Sequence, residues 1–296
     1  MFKRSRTLFI LTSLLFLFLI FLSSCNDASV NEQDDIISED IQLPSEDSEN
    51  ASEGNILGAK NEEIIPEPVI VGIYGGKGHW DINLEAIINF LDNYEIEWSV
   101  FDEIDAVEAD LSERYDLIWF PGGFAAEYKN YIRDHANIRS FVEEGGMFIG
   151  SCAGAYYAGD ILRWQGTDHE YPLKLFNGKG VGPLSGLIGW GEIDSFSLET
   201  EHSVNLEFDT TIEFYYFDGP YFEPYVTESI VILSRYEVNA EPAVIAGHFG
   251  DGKYLLLGPH PELGGYSPSS PNFNVSGGEG AQWPWLYSAI SWLITW

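Results

Sequence analysis

The sequence predicts an α/β fold, an open and mostly parallel doubly wound sheet that passes into an antiparallel-rich second half. Three observations carry this. Short apolar runs rich in β-branched residues recur from residue 69 onward, the pattern of strands buried on both faces. Segments with helical spacing of apolar residues separate the first of these runs, the alternation that builds parallel sheets with right-handed crossovers. Toward the C-terminus the pattern changes to strand-like runs joined by short turns.

In chain order, "VIVGIY" (69–74) is the first strand and ends in "GGKG". "LEAIINFLDNY" (84–94) places Leu84, Ile87, Ile88 and Leu91 on one face of an amphipathic helix. "IEWSVFD" and "DLIWF" (116–120) are the next strands, the second ending in "PGG". Two short helical stretches cover about 124–144, followed by the strand "GMFIG" and a helix opening at "AGAYYAG". Further on, "IDSFSLE", "SVNLEFD", "TIEFYYFDGPYF", "SIVILSRYE", "PAVIAGHFG" and "GKYLLLGPHPE" read as strands, and "PWLYSAISWLITW" as a closing apolar helix. The polar "TDHE" reads as a loop and "GKGVG" (178–182) as a turn.

The N-terminus lies outside this pattern. Lys3, Arg4 and Arg6 precede the apolar run Thr7–Leu22, and Ser23 and Ser24 lead into Cys25. This is the layout of an export signal. "LSSC" resembles the lipobox of bacterial and archaeal lipoproteins, which implies lipidation of Cys25 after removal of residues 1–24. An uncleaved membrane anchor is the alternative, the run being just short of a minimal span. Either way the remainder is expected outside the cytoplasm, touching the membrane only through its N-terminus. Residues 25–66 are acidic, polar and free of aromatics, a composition that cannot offset ordering entropy. They read as a flexible linker spanning roughly 35 Å, and residues 67–296 as one domain.

The formal charge of −33, from 14 basic and 47 acidic residues, argues against nucleic acid and anionic lipid headgroups as partners. With two cysteines, one at the lipidation position, Cys152 has no internal partner and no disulfide framework is expected. An unpaired thiol in an exported chain is either buried and inert or kept for reactivity.

In open α/β sheets reactive groups gather beyond the carboxyl ends of strands. Gly150-Ser151-Cys152-Ala153-Gly154 has the G-x-nucleophile-x-G form of a strand-to-helix elbow, whose sharp turn demands small neighbours. It puts the thiol at a helix N-terminus, where a thiolate is favoured. The other reading is a small cysteine packed under a helix. A thiol nucleophile needs a base and the base an orienting partner. In "GPHPE", His260 and Glu262 follow a strand two residues apart, so both side chains can face one side. His79 and His135 fall at helix boundaries, His169 in a loop, His202 in a turn and His248 inside a strand. A metal site built from Asp168, His169 and Glu170 is disfavoured, because adjacent residues rarely converge on one ion; no metal or cofactor is expected. Acyl transfer needs oxyanion donors. The Ala153 amide is one candidate, and Gly122 and Gly123 of "FPGG" are the others. Gly75 and Gly76 are expected to shape a pocket rim, with Lys77 or Lys179 as candidate contacts for an anionic substrate group.

In this chain order the pieces resemble the class I glutamine amidotransferase-like superfamily, whose members carry a cysteine elbow, a later His-Pro-Glu and an upstream glycine loop. The resemblance implies a flavodoxin-like sheet, with Cys152 as nucleophile, His260 as base and Glu262 as its partner. Within the superfamily, "YGGKG", "WFPGG", "GSCAGAYYAG", "LFNGKGVGPL" and "GPHPE" are similar to landmarks of the N-terminal domain of biotin–protein ligases, over about residues 68–265. One departure stands out. Glutamine amidotransferases carry Gln four residues after the cysteine to hold glutamine, and Tyr156 stands there. No synthetase segment and no ligase or biotin-binding segment is recognisable, so neither glutamine amidotransfer nor biotin ligation is expected. Two readings remain. One is a thiol hydrolase of amide or ester bonds acting on a small-molecule or peptide-like substrate. The other is a binding lipoprotein that uses the aromatic second half, including Trp283–Trp285, as a stacking surface. Specificity is expected in residues 161–192 and 264–284.

Overall fold

Strands form where the apolar runs lie, and the sheet that joins them explains the doubly wound pattern. A computed structural model describes residues 68–184, 186, 192–199, 202–264 and 282–296. The expected export signal, Cys25 and the linker lie outside the described residues, and the fold is that of the residues from 68 onward.

The elements run β1 (Ile70–Tyr74), α1 (Asp81–Asn93), β2 (Glu97–Phe101), α2 (Asp105–Glu108), β3 (Leu117–Phe120), α3 (Ala125–Tyr131), α4 (Ala136–Glu143), β4 (Met147–Ser151) and α5 (Ala153–Ala158). They continue β5 (Gly159–Trp164), β6 (Thr167–Glu170), β7 (Phe176–Gly182), β8 (Glu192–Leu198), β9 (Thr211–Tyr216), β10 (Tyr221–Pro224), β11 (Ile230–Tyr236), β12 (Pro242–Phe249), β13 (Gly252–Leu257) and α6 (Gln282–Thr295).

A nine-stranded sheet has the order β2-β1-β3-β4-β13-β12-β11-β8-β9. Its first five strands are parallel and the rest antiparallel, so the sheet changes character at β13. Alternate residues of the parallel strands feed opposite faces, as the two-residue period requires. Val71, Ile73, Leu117, Trp119 and Ile149 join one core with Ile87, Phe90 and Leu91 of α1 and Trp285, Leu286 and Ile290 of α6. Ile118, Phe120 and Phe148 join the other, with Tyr128 of α3, Phe141 and Val142 of α4 and Ala153, Ala155, Tyr156, Tyr157 and Ala158 of α5. Both faces are covered by helices, which is why these strands read as unbroken apolar runs.

The structure corrects the sequence reading in three places. "SVNLEFD" is not a strand: Ser203–Asn205 is a 3₁₀ turn. It is pinned by the Asn205 side-chain amide, which donates to the carbonyls of Glu199 and Leu233 and accepts from the Trp285 indole. "TDHE" and "GKGVG" are strand rather than loop and turn, lying in β6 and β7 of a second, four-stranded sheet ordered β10-β7-β5-β6. The β7 glycines that suggested a turn instead permit close approach; a side chain on Gly182 would run into the Tyr156 hydroxyl. Trp283 and Trp285 offer no stacking surface, since both are buried in the core.

Candidate active site

At the end of β4 the chain turns sharply into α5, and Cys152 sits at the corner with φ 48° and ψ −99°. That conformation costs a non-glycine residue about 1–3 kcal/mol and must be imposed by its surroundings. Three backbone bonds impose it. The Cys152 amide donates to Leu257 on β13 (2.8 Å), the Gly154 amide to Pro121 (3.2 Å), and the Tyr156 amide to the Cys152 carbonyl (3.0 Å). Gly154 lies so close to the Phe120 carbonyl that a side chain there would collide with backbone. The elbow read from "GSCAG" is therefore present, built on the strained nucleophile geometry that the motif describes.

His260 leaves the end of the adjacent β13. Its amide donates to Tyr215 (2.9 Å), and Nδ1 lies 2.9 Å from Glu262 Oε1, both side chains fully buried. Burial is the largest influence on the imidazole and lowers its proton affinity. The Glu262 carboxylate and the Cys152 sulfur override it, and the His260 pKa rises to about 10. Rings of Trp80 and Phe217 meet the imidazole edge to face. The Cys152 thiol donates to the Phe217 carbonyl at 3.3 Å, and His260 Nε2 makes no hydrogen bond with any described group. Sulfur and imidazole thus border the same cavity without a hydrogen bond between them, a looseness common in resting sites.

The oxyanion candidates separate. The amides of Ala153 and Gly123 make no bond to another described group, and both residues line the cavity. Gly122 is a correction: its amide donates to Asn83 Oδ1 (2.5 Å) and has nothing left to give. Gly75 and Gly76 are also displaced from their expected role. The Gly75 amide donates to Phe101 and the Gly76 carbonyl accepts from His79 Nδ1 (2.6 Å), so they brace the loop behind the cavity wall and do not line it. Lys179 is tied to Asp168 (3.0 Å), Asp168 also pairs with Arg163 (2.5 Å), and Lys77 lies outside the cavity lining. The lysine at the cavity is Lys129.

The cavity encloses about 780 Å³ and its walls are chiefly apolar. Trp80, Phe124 and Phe217 come from loops of the main sheet; Leu162, Trp164, His169 and Tyr171 come from the second sheet and the segment after it. Part of residues 161–192 thus lines the cavity; most of 264–284 lies outside the described residues. Tyr156 lines the wall, and its hydroxyl donates to the Asp218 carbonyl at 2.9 Å. A buried phenol committed to backbone fills the place where glutamine-using enzymes carry Gln.

Asn83 was not legible in the sequence as a site residue. It is fully buried near the start of α1, and its Nδ2 donates to Glu262 Oε1 at 2.5 Å while its Oδ1 takes the Gly122 amide. One side chain therefore braces both the histidine's partner and the glycine loop. The local signal was slight: a polar residue at a position where the helix turns inward.

The sheet order and the elbow beside a histidine-bearing strand end define the class of fold, the α/β fold of glutamine amidotransferase-like proteins. A crystal structure of a glutamine amidotransferase superposes with a TM-score of 0.53 at 18% identity, over 76% of this chain and 99% of that one. Another, from Thermotoga maritima, matches over 67% of this chain and 78% of that one at 16% identity, with a TM-score of 0.46. Within the class the chain belongs to the family of biotin-protein ligase N-terminal domains, whose model matches residues 105–274. It is 23% identical over 160 residues to a biotin–protein ligase of Schizosaccharomyces pombe, a match covering 50% of this chain and 25% of that protein. The chain thus spans about a quarter of the length of that relative.

Proposed function

We propose that the chain is a cysteine-dependent hydrolase of amide or ester bonds, held outside the cytoplasmic membrane by lipid on Cys25. The observation that carries the reading is the meeting of a strained cysteine elbow and a buried His260–Glu262 pair on one cavity wall. In the proposed cycle the thiol proton of Cys152 rests on His260 Nε2, in keeping with the raised histidine pKa, and the resulting thiolate attacks the substrate carbonyl. The oxyanion rests on the Ala153 and Gly123 amides. His260 then protonates the departing amine or alcohol, leaving a thioester. Water, deprotonated by His260, adds to the thioester and releases the acid and the thiol. Glu262 holds the imidazolium in register.

The test is labelling of the folded full-length chain with amide- and ester-mimicking electrophiles, followed by peptide mapping. Wild type should carry its adduct on Cys152, Cys152→Ala should carry none on that peptide, and His260→Ala should label about 10²-fold more slowly. An unlabelled Cys152 in folded wild type, or labelling indifferent to His260, would overturn the hydrolase. It would favour the second reading, a binding lipoprotein, which the thiol's bond to the Phe217 carbonyl supports. The anchor has its own test. Cys25→Ser should move the expressed protein from the membrane fraction to the soluble fraction and end fatty-acid incorporation; unchanged fractionation refutes lipid anchoring.

A further inference from the structure

Asp218 follows Phe217, whose carbonyl receives the Cys152 thiol. Its backbone is left-handed, with φ 56°, and its carbonyl is clamped by the Tyr156 hydroxyl. The side chain is half-buried at the cavity wall, and among the described residues its carboxylate makes no hydrogen bond or ion pair. Burial raises its pKa, as expected for an acid given no partner. A strained conformation held in place to present an unpaired acid calls for a ligand of opposite charge.

The surroundings say what kind. Trp80, Trp164 and Tyr171 offer ring faces and edges, which suit an aromatic or alkyl body and tolerate a neighbouring cation. A formal charge of −33 draws cations toward the molecule as a whole. The positive groups on the wall are already engaged: His260 is paired with Glu262, and Lys129 Nζ donates to the Glu170 carbonyl (2.7 Å) and lies 5.2 Å over the Tyr171 ring. Because Asp218 is one residue from the carbonyl that holds the sulfur, an ammonium paired with it stands close to the carbonyl under attack.

We propose that the cavity selects amides or esters bearing a primary ammonium beside the scissile carbonyl and an apolar or aromatic side chain, with Asp218 as the ammonium anchor. The choice of an amide or ester rests on the hydrolase reading; the anchor itself is a matter of binding.

The experiment measures binding of L-phenylalaninamide and its uncharged N-acetyl derivative to full-length Cys152→Ala by calorimetry, at about pH 6 where the free amine is charged. The charged ligand should bind at least about tenfold more tightly. Adding Asp218→Asn should abolish that preference while leaving the neutral ligand's affinity within about twofold. Asp218→Gly should do the same, and glycine accepts the left-handed backbone without strain, so loss of folding is not a confounder. Equal binding of the two ligands, binding of neither, or a preference that survives both substitutions overturns the anchor. Wild type that binds L-phenylalaninamide with this preference and releases no ammonia keeps the anchor and refutes the hydrolase. Wild type that cleaves both amides at equal rates does the reverse.

Discussion

Glu262→Gln should lower the titration midpoint of His260 by about 1–3 pH units, read from its ring-proton NMR shifts, while leaving the fold intact. Gln keeps an oxygen for the imidazole and for Asn83 and removes only the charge. Burial, which lowers the histidine's affinity for a proton, is then opposed by less. The same substitution changes how stability depends on pH. In wild type the folded His260 pKa, about 10, lies above the unfolded value near 6.5. Its contribution is therefore present in full below about pH 6.5 and is lost as pH rises through the folded value. Breaking a buried pair costs about 3–5 kcal/mol, and that cost falls where the imidazole is charged. Urea unfolding of wild type and Glu262→Gln should differ most in mild acid and converge in alkali. A gap that is constant or widens with pH would refute the ion-pair account. Labelling of Cys152 should slow in parallel.

Asn83→Leu should be nearly as damaging, although Asn83 is neither nucleophile nor base. Leucine fills a similar volume and supplies no polar atom, so the Gly122 amide loses its partner and Glu262 loses one donor. Each buried group so stranded costs about 1–3 kcal/mol, giving a loss of about 2–6 kcal/mol in chemical denaturation. Cys152 labelling should fall by about 10²-fold in molecules that remain folded, because both the imidazole's support and the glycine loop are released. Asn83→Asp separates bracing from simple space-filling. It sets a second carboxylate within 2.5 Å of Glu262 Oε1, where both cannot ionise. Its defect should be greater than that of Asn83→Leu at neutral pH and partly relieved as pH falls. Labelling and stability near wild-type values in both variants would remove Asn83 from the site.

These two residues also mark where sequence stops being informative. Glu262 was legible because it lies two residues from the histidine it serves, inside "GPHPE". Cys152 was legible because the elbow's small neighbours are a local steric demand. β1, β3 and β4 were legible because strands covered on both faces read as unbroken apolar runs. Asn83 was hidden because its partners are 39 and 179 residues away, and an asparagine in a helix carries no mark of what lies across the sheet. Gly122 was misassigned for the same reason, since nothing near it announces that its amide is taken. The cavity walls at Leu162, Trp164, His169 and Tyr171 depend on a second sheet whose glycine-rich strand looks like a turn until Tyr156 is packed against it. Chemistry written in adjacent residues could be read; chemistry assembled across elements could not.

The parallel pairing of β4 with β13, from Met147 beside Lys253 to Ser151 beside Leu257, has a consequence for how such a protein diversifies. Cys152 and His260, the proposed nucleophile and base, issue from the ends of two neighbouring strands, and the chain from Ala153 to Asp251 departs and returns between them. Their mutual placement is inherited through one short hydrogen-bonded ladder. Changes in the intervening stretch, lengthening a hairpin or exchanging an aromatic for a charge, would reshape the cavity wall and leave Cys152 and His260 where they are. A fold built this way can be refitted to a different ligand without moving the two strand ends that meet at the cavity.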